Sequence, residues 1–178
     1  MSQTGDSQSD LDTMFKSLHD ETSLIRRCSR CGTRFTNHIG PTCSECGGAL
    51  EPIPEANRPC VLLAEDAPLD QEKFSALLRQ LGCRVEVAEN GNVALNKLEE
   101  LTPDLIVLDL LMPNKGGIET LKILRADQRF FKTPIVMLTN KNDLRMIQAA
   151  LRGGPTDYLL KSSDPEQIKE RFRKYLNL

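Results

Sequence analysis

The stretch "DLIVLDLLMP", residues 104–113, is the most apolar run of the chain, and it stops on Asp109, a carboxylate followed by two leucines, a methionine and a proline. A short apolar run without alternation fits a strand buried on both faces of a sheet. Working outward, three similar runs flank it. "CVLLAE" at residues 60–65 precedes it, and "TPIVMLT" at 133–139 and "DYLLK" at 157–161 follow. "RVEVAE" at 84–89 alternates and reads as a half-buried strand.

Amphipathic helices separate these strands. One follows residue 66, with Pro68 in its first turn, Phe74, Leu77, Leu78 and Leu81 on its face and Gly82 as terminator. Others are expected at about 92–101, 118–127 and 143–152, and a last one starts at Asp164-Pro165-Glu166. Five strands alternating with five helices predict an α/β fold: a doubly wound, five-stranded parallel sheet joined by right-handed crossovers. In such sheets ligands meet the carboxyl ends of the strands. Those ends carry Glu65-Asp66, Asp109, Thr139 and Lys161. Three clustered carboxylates require a compensating cation, and a partly open set of hard oxygen ligands suits Mg²⁺.

In front of this segment stands "CSRCGTRFTNHIGPTCSECGG", residues 28–48, with two CxxC pairs, each followed by glycine. Two such knuckles place Cys28, Cys31, Cys43 and Cys46 around one ion, and the eleven intervening residues allow a short hairpin that brings the knuckles together. The metal is expected to be structural Zn²⁺, because so small a segment cannot bury a core of its own. Iron stays open, since paired CxxCG knuckles also resemble rubredoxin and four thiolates suit either ion. His38 reads as a polar loop residue. Arg26, Arg27, Arg30 and Arg34 crowd the knot, but set against Glu45 and the −2 of a divalent tetrathiolate they leave only about +1. That balance argues against nucleic acid as a partner and for arginines that offset thiolate charge.

Residues 1–10 read as a disordered tail, 11–25 as an amphipathic helix with Leu11, Met14, Phe15, Leu18 and Ile25 on one face, 26–50 as the ribbon-like module and 51–59, "EPIPEANRP", as an extended linker. Cys60 and Cys83 read as small buried hydrophobes. The net charge of −2 points to no anionic partner, and no apolar run approaches bilayer length. The polar, acidic start lacks the pattern of a signal peptide, so a cytoplasmic location without membrane contact is expected.

Residues 60–178 resemble the receiver domain of two-component response regulators, on "ED" at 65–66, Asp109 with its "LMP", Gly117, Thr139 and "LRGGPTDYLLK". The resemblance implies a flavodoxin-like sheet of order 2-1-3-4-5. It also implies that Asp109 is the phosphoacceptor and that Glu65, Asp66, Asp109 and the backbone carbonyl of Leu111 hold Mg²⁺. Lys161 would contact the phosphoryl oxygens, and Thr139 and Tyr158 would form the switch. Three departures stand out: Glu65 where Asp is commonest, Gly116 in place of an Asp, and Ser162 where proline usually follows the lysine. On this basis the chain is a phosphoacceptor signalling protein rather than an enzyme acting on an external substrate, and it assists its own phosphoryl transfer and dephosphorylation. Its implied partners are a histidine kinase or phosphotransfer protein, a downstream protein target and, once phosphorylated, a second copy of itself. The rival expectations are a phosphorylation-independent adaptor that binds through the knot and the 11–25 helix, and a nucleic-acid-binding ribbon gated by the receiver.

Overall fold

The computed structural model describes residues 25–36, 38–140 and 154–178. The expected tail at 1–10, nearly all of the 11–25 helix and the helix at 143–152 lie outside the described residues. The chain divides into two units, with the boundary between Ile53 and Pro54.

The first unit is a three-stranded antiparallel sheet of order β2-β1-β3, from β1 (Ile25–Cys28), β2 (Arg34–Thr36) and β3 (Leu50–Pro52). Two expectations are corrected here. Ile25 opens a strand instead of closing a helix, and Glu51 and Pro52 pair with Arg27 and Arg26 instead of forming a linker. The antiparallel partners satisfy backbone groups that an extended linker would leave to water. Of the remaining linker, Glu55–Asn57 forms a single 3₁₀ turn. The expected hairpin also takes a different place. Its strands are β1 and β2, so its turn is the first knuckle itself, not the segment between the knuckles.

The second unit carries β4 (Cys60–Ala64), α1 (Pro68–Gln80), β5 (Arg84–Ala88), α2 (Gly91–Lys97), β6 (Leu105–Asp109), α3 (Gly117–Ala126), β7 (Ile135–Thr139), β8 (Asp157–Leu160) and α4 (Pro165–Leu176). Its strands form one five-stranded sheet of order β5-β4-β6-β7-β8, and every pairing is parallel. Counted within this sheet, that is the expected order 2-1-3-4-5. The three central strands are buried along their whole length, while the edge strands β5 and β8 are partly exposed.

Strand periodicity divides the core between the two faces of the sheet. Val61, Leu63, Val107 and Leu138 pack with Phe74 and Leu78 of α1 and Ile168 and Phe172 of α4. Leu62, Ala64, Ile106 and Met137 pack with Ala94 of α2 and Leu121 and Leu124 of α3. Side-chain caps begin two of the helices: Asn90 accepts from the Val93 amide, and Asp164 accepts from those of Glu166 and Gln167 with Pro165 following. The helix expected at 92–101 ends at Lys97 and continues as turns through Glu100, and Pro103 keeps Thr102 out of helical backbone beyond them. Strand β7 starts at Ile135 rather than at residue 133, since Pro134 has no N–H for the ladder. No helix among the described residues is long and apolar enough to cross a membrane.

Candidate functional site

The carboxyl edge of the large sheet collects the groups expected there. Glu65 and Asp66 follow β4, Asp109 ends β6, Thr139 ends β7 and Lys161 follows β8. Register brings them together: Asp109 lies opposite Leu138, Thr139 opposite Leu160, and the Lys161 amide donates to the Thr139 carbonyl at 2.8 Å. Glu65, Asp109, Thr139 and Lys161 are buried, whereas Asp66 is exposed. Gly117 lets α3 begin hard against this edge, since a Cβ there would stand 2.0 Å from the Asp109 carbonyl oxygen.

Lys161 Nζ is 2.6 Å from Glu65 Oε2, 3.1 Å from Asp70 Oδ2 and 3.3 Å from Asp109 Oδ1. The shortest of these contacts pairs the ammonium with the fully buried Glu65 Oε2. Burial pushes both the Asp109 and Glu65 carboxyls above the usual range, and the ammonium pulls each back only in part. Burial alone would lower the Lys161 pKa, but Glu65, Asp109 and Asp70 more than offset it, so the pKa rises above its ordinary value and the lysine stays charged.

Two members of this constellation carried no signal in the sequence analysis. Asp70 is, by its sequence alone, an ordinary acidic residue in the first turn of a helix, and Lys73 a solvated surface lysine. Only the docking of α1 brings them to Lys161, where Asp70 meets the ammonium and Lys73 Nζ donates to the Lys161 carbonyl at 2.6 Å. Leu111, two residues beyond Asp109, is half exposed, and Tyr158 is half-buried against the α2 and α3 side of the core. Ser162, in place of proline, does not keep Lys161 from the carboxylates.

Ligand oxygens of Glu65, Asp66 and Asp109 all lie within 4.8 Å of one another. Oxygens about 2.1 Å from a six-coordinate ion are roughly 3–4 Å apart, so this hard, partly open donor set fits Mg²⁺.

In the first unit the sulfurs of Cys28, Cys31, Cys43 and Cys46 likewise lie within 4.8 Å of one another. Cys28 and Cys46 are 3.4 Å apart and Cys31 and Cys43 3.7 Å, close to the ~3.8 Å that four sulfurs 2.3 Å from one ion would adopt. The knuckles are built alike. Gly32 N–H donates to the Cys28 carbonyl and Gly47 N–H to the Cys43 carbonyl, with φ of +77° and +70° at the two glycines. The left-handed backbone that glycine permits turns each knuckle back on itself. The amides of Cys31 and Arg30 point at Cys28 Sγ, and their hydrogen bonds, that of Cys31 foremost, lower its pKa. The donor set fits a tetrahedral thiolate-bound metal. His38 stands apart from it, with Nε2 3.0 Å from the Thr42 carbonyl oxygen.

Comparison with known proteins agrees with the fold. Residues 61–173 match the response regulator receiver domain, and the chain belongs to that family. It is 37% identical over 116 residues to the DNA-binding response regulator MtrA of Mycolicibacterium smegmatis, a match covering 65% of this chain and 50% of that protein. The chain thus matches about half the length of this curated relative. Among solved structures, the chemotaxis response regulator CheY4 of Vibrio cholerae superposes with a TM-score of 0.63 at 30% identity, covering 67% of this chain and 99% of that one. The receiver domain of a sensor histidine kinase from Pseudomonas aeruginosa, solved with magnesium in its active-site cleft, superposes with a TM-score of 0.64 at 27% identity, covering 68% and 99%. The expectation against nucleic acid gains no support from these comparisons, because MtrA is described as DNA-binding.

Proposed function

We propose that the chain is a phosphorylation-controlled signalling protein of a two-component system, with Asp109 accepting a phosphoryl group from a histidine kinase or phosphotransfer protein. The observation that carries this is the buried Asp109 carboxylate, 3.3 Å from the Lys161 ammonium and grouped with Glu65 and Asp66 at the carboxyl edge of the sheet. An Asp109 oxygen attacks phosphorus in line, and the bond from phosphorus to the donor imidazole nitrogen breaks. Its electron pair stays on that nitrogen, which takes up a proton from solvent. Lys161 stabilises the charge on the transferring group.

Glu65, Asp66, Asp109 and the Leu111 carbonyl would hold Mg²⁺, which when bound supplies the positive charge that lets a carboxylate approach an anionic phosphoryl group. Thr139 responds to the new charge, Tyr158 follows it, and the change reaches a protein partner or a second copy of the chain. Cys28, Cys31, Cys43 and Cys46 would hold a structural ion, Zn²⁺ before iron. The workplace of such a protein is the cytoplasm, where its donors act.

A second reading, an adaptor acting through the cysteine knot, draws on the knot's position outside the family match and on Arg27 standing opposite Arg34 across the sheet, with neither in an ion pair among the described residues. Like charges directly opposite each other on a sheet are unfavourable, and a compensating negative charge would come from the proposed tetrathiolate site or from a partner protein.

The deciding experiment incubates the chain with a small acyl-phosphate donor and Mg²⁺. One phosphoryl group per chain is expected, and none with Asp109→Asn, whose amide is a far weaker nucleophile. Unchanged labelling of that variant would remove the assignment.

A further inference from the structure

Helix α1 touches Lys161 at both ends of the residue. Asp70 Oδ2 accepts a hydrogen bond from the ammonium at 3.1 Å, and Lys73, one turn later on the same helix, donates to the Lys161 carbonyl at 2.6 Å. Residues three apart share a helix face, so the two contacts act as one grip. Asp70 is a quarter exposed and lies outside the trio of carboxylates that fits a cation. Its role is therefore separable from metal binding.

The grip answers a physical need. A lysine has a flexible stem, and rotamer freedom on that stem must be lost before the ammonium can serve a reacting group. Of its carboxylate neighbours, Glu65 and Asp109 belong to the trio that fits a cation, whereas Asp70 does not and is left to hold the ammonium. Lys73 meanwhile fixes the peptide from which the stem departs.

We infer that Asp70 and Lys73 are positioning residues that clamp Lys161 from α1, holding its ammonium where the phosphoryl group of Asp109 will need it. Neither touches the phosphoryl group, and both act through Lys161. This inference rests on the proposed role of Lys161 in phosphoryl uptake.

The test measures the rate of uptake from a small acyl-phosphate donor, with saturating Mg²⁺, by the full chain carrying Asp70→Asn, Lys73→Met, Lys161→Met, and each of the first two combined with the third. Asp70→Asn and Lys73→Met should each slow uptake about threefold to tenfold, as expected for a partly exposed charged contact. Asp70→Glu should restore most of the loss. Glu72→Gln, which removes the same charge from the exposed side of α1, should not slow uptake. In the Lys161→Met background the first two substitutions should add nothing.

The outcomes separate two failures. If Lys161→Met leaves uptake unchanged, the role proposed for Lys161 falls. If Lys161→Met slows uptake but Asp70→Asn and Lys73→Met slow it equally in both backgrounds, or not at all in the parent, the clamp falls and the role of Lys161 stands.

Discussion

The two units solve the same folding problem by opposite means. The receiver sheet has three central strands buried from end to end and the apolar sides of amphipathic helices on both faces. Among the described residues the knot's buried apolar side chains are Ile25, Cys28, Cys43 and Leu50, and two of those four are thiols of the set that could hold a metal. Apolar burial at roughly 25 cal/mol per Å² can fold the receiver but has little to work with in the knot. The comparison teaches that charge is arranged accordingly. In the receiver, buried carboxylates are a burden that the proposed phosphoryl transfer would explain, whereas in the knot the thiolates would become the scaffold once a cation joined them.

The largest effect should come from withholding the metal proposed for the knot. Chelation, or Cys43→Ser, should abolish the ordered signals of residues 25–53 in NMR spectra of the zinc-loaded chain, while the receiver keeps its helical circular dichroism and its phosphorylation. Loss of phosphorylation on chelation of zinc alone, with Mg²⁺ resupplied, would break the contrast by making the receiver dependent on the knot.

Next comes the apolar core. Leu62→Ala, at a fully buried position of β4, should cost the receiver about 2–5 kcal/mol in denaturant unfolding while leaving the zinc content unchanged. A cost below about 1 kcal/mol would mean that the sheet does not depend on the packing described.

The smallest effect sharpens the electrostatic side. Burial raises the Asp109 pKa above its ordinary 3.8, so the folded state binds that proton more tightly than the unfolded chain does. Stability associated with this group is therefore fully present below about pH 3.8 and is lost as pH rises through the raised value, leaving a penalty at pH 7. Asp109→Asn removes the penalty. In the absence of Mg²⁺ its thermal midpoint should exceed the parent's by about 2–4 °C at pH 7, with the difference shrinking as the pH falls. An equal or lower midpoint at pH 7 would show that Lys161 compensates Asp109 in full.

Much of this was legible without coordinates because it is written in local pattern. Burial on both faces leaves strands no polar positions, so "CVLLA", "LIVLD" and "IVMLT" announce a parallel sheet, and the edge strand "RVEVA" announces itself by alternation. The CxxCG pairs are as local as the knuckles they build. Residues at strand ends follow from topology alone, which is why Glu65, Asp66, Asp109, Thr139 and Lys161 could be placed on one edge before any distance was known.

What the tertiary structure alone decided are the contacts between elements distant in sequence. The pairing of Glu51 and Pro52 with β1 turned an apparent linker into a strand, since a proline-rich segment gives no sign of the partner its carbonyls will meet. The docking of α1 brought Asp70 and Lys73 to Lys161 across 91 and 88 positions of the chain. A first-turn aspartate has the same sequence whether it faces solvent or an ammonium, and only the packing of its helix settles which. The chain's own pattern determined the sheet, the knuckles and the acidic edge, because each depends on neighbours in sequence; the grip on Lys161 depends on neighbours in space.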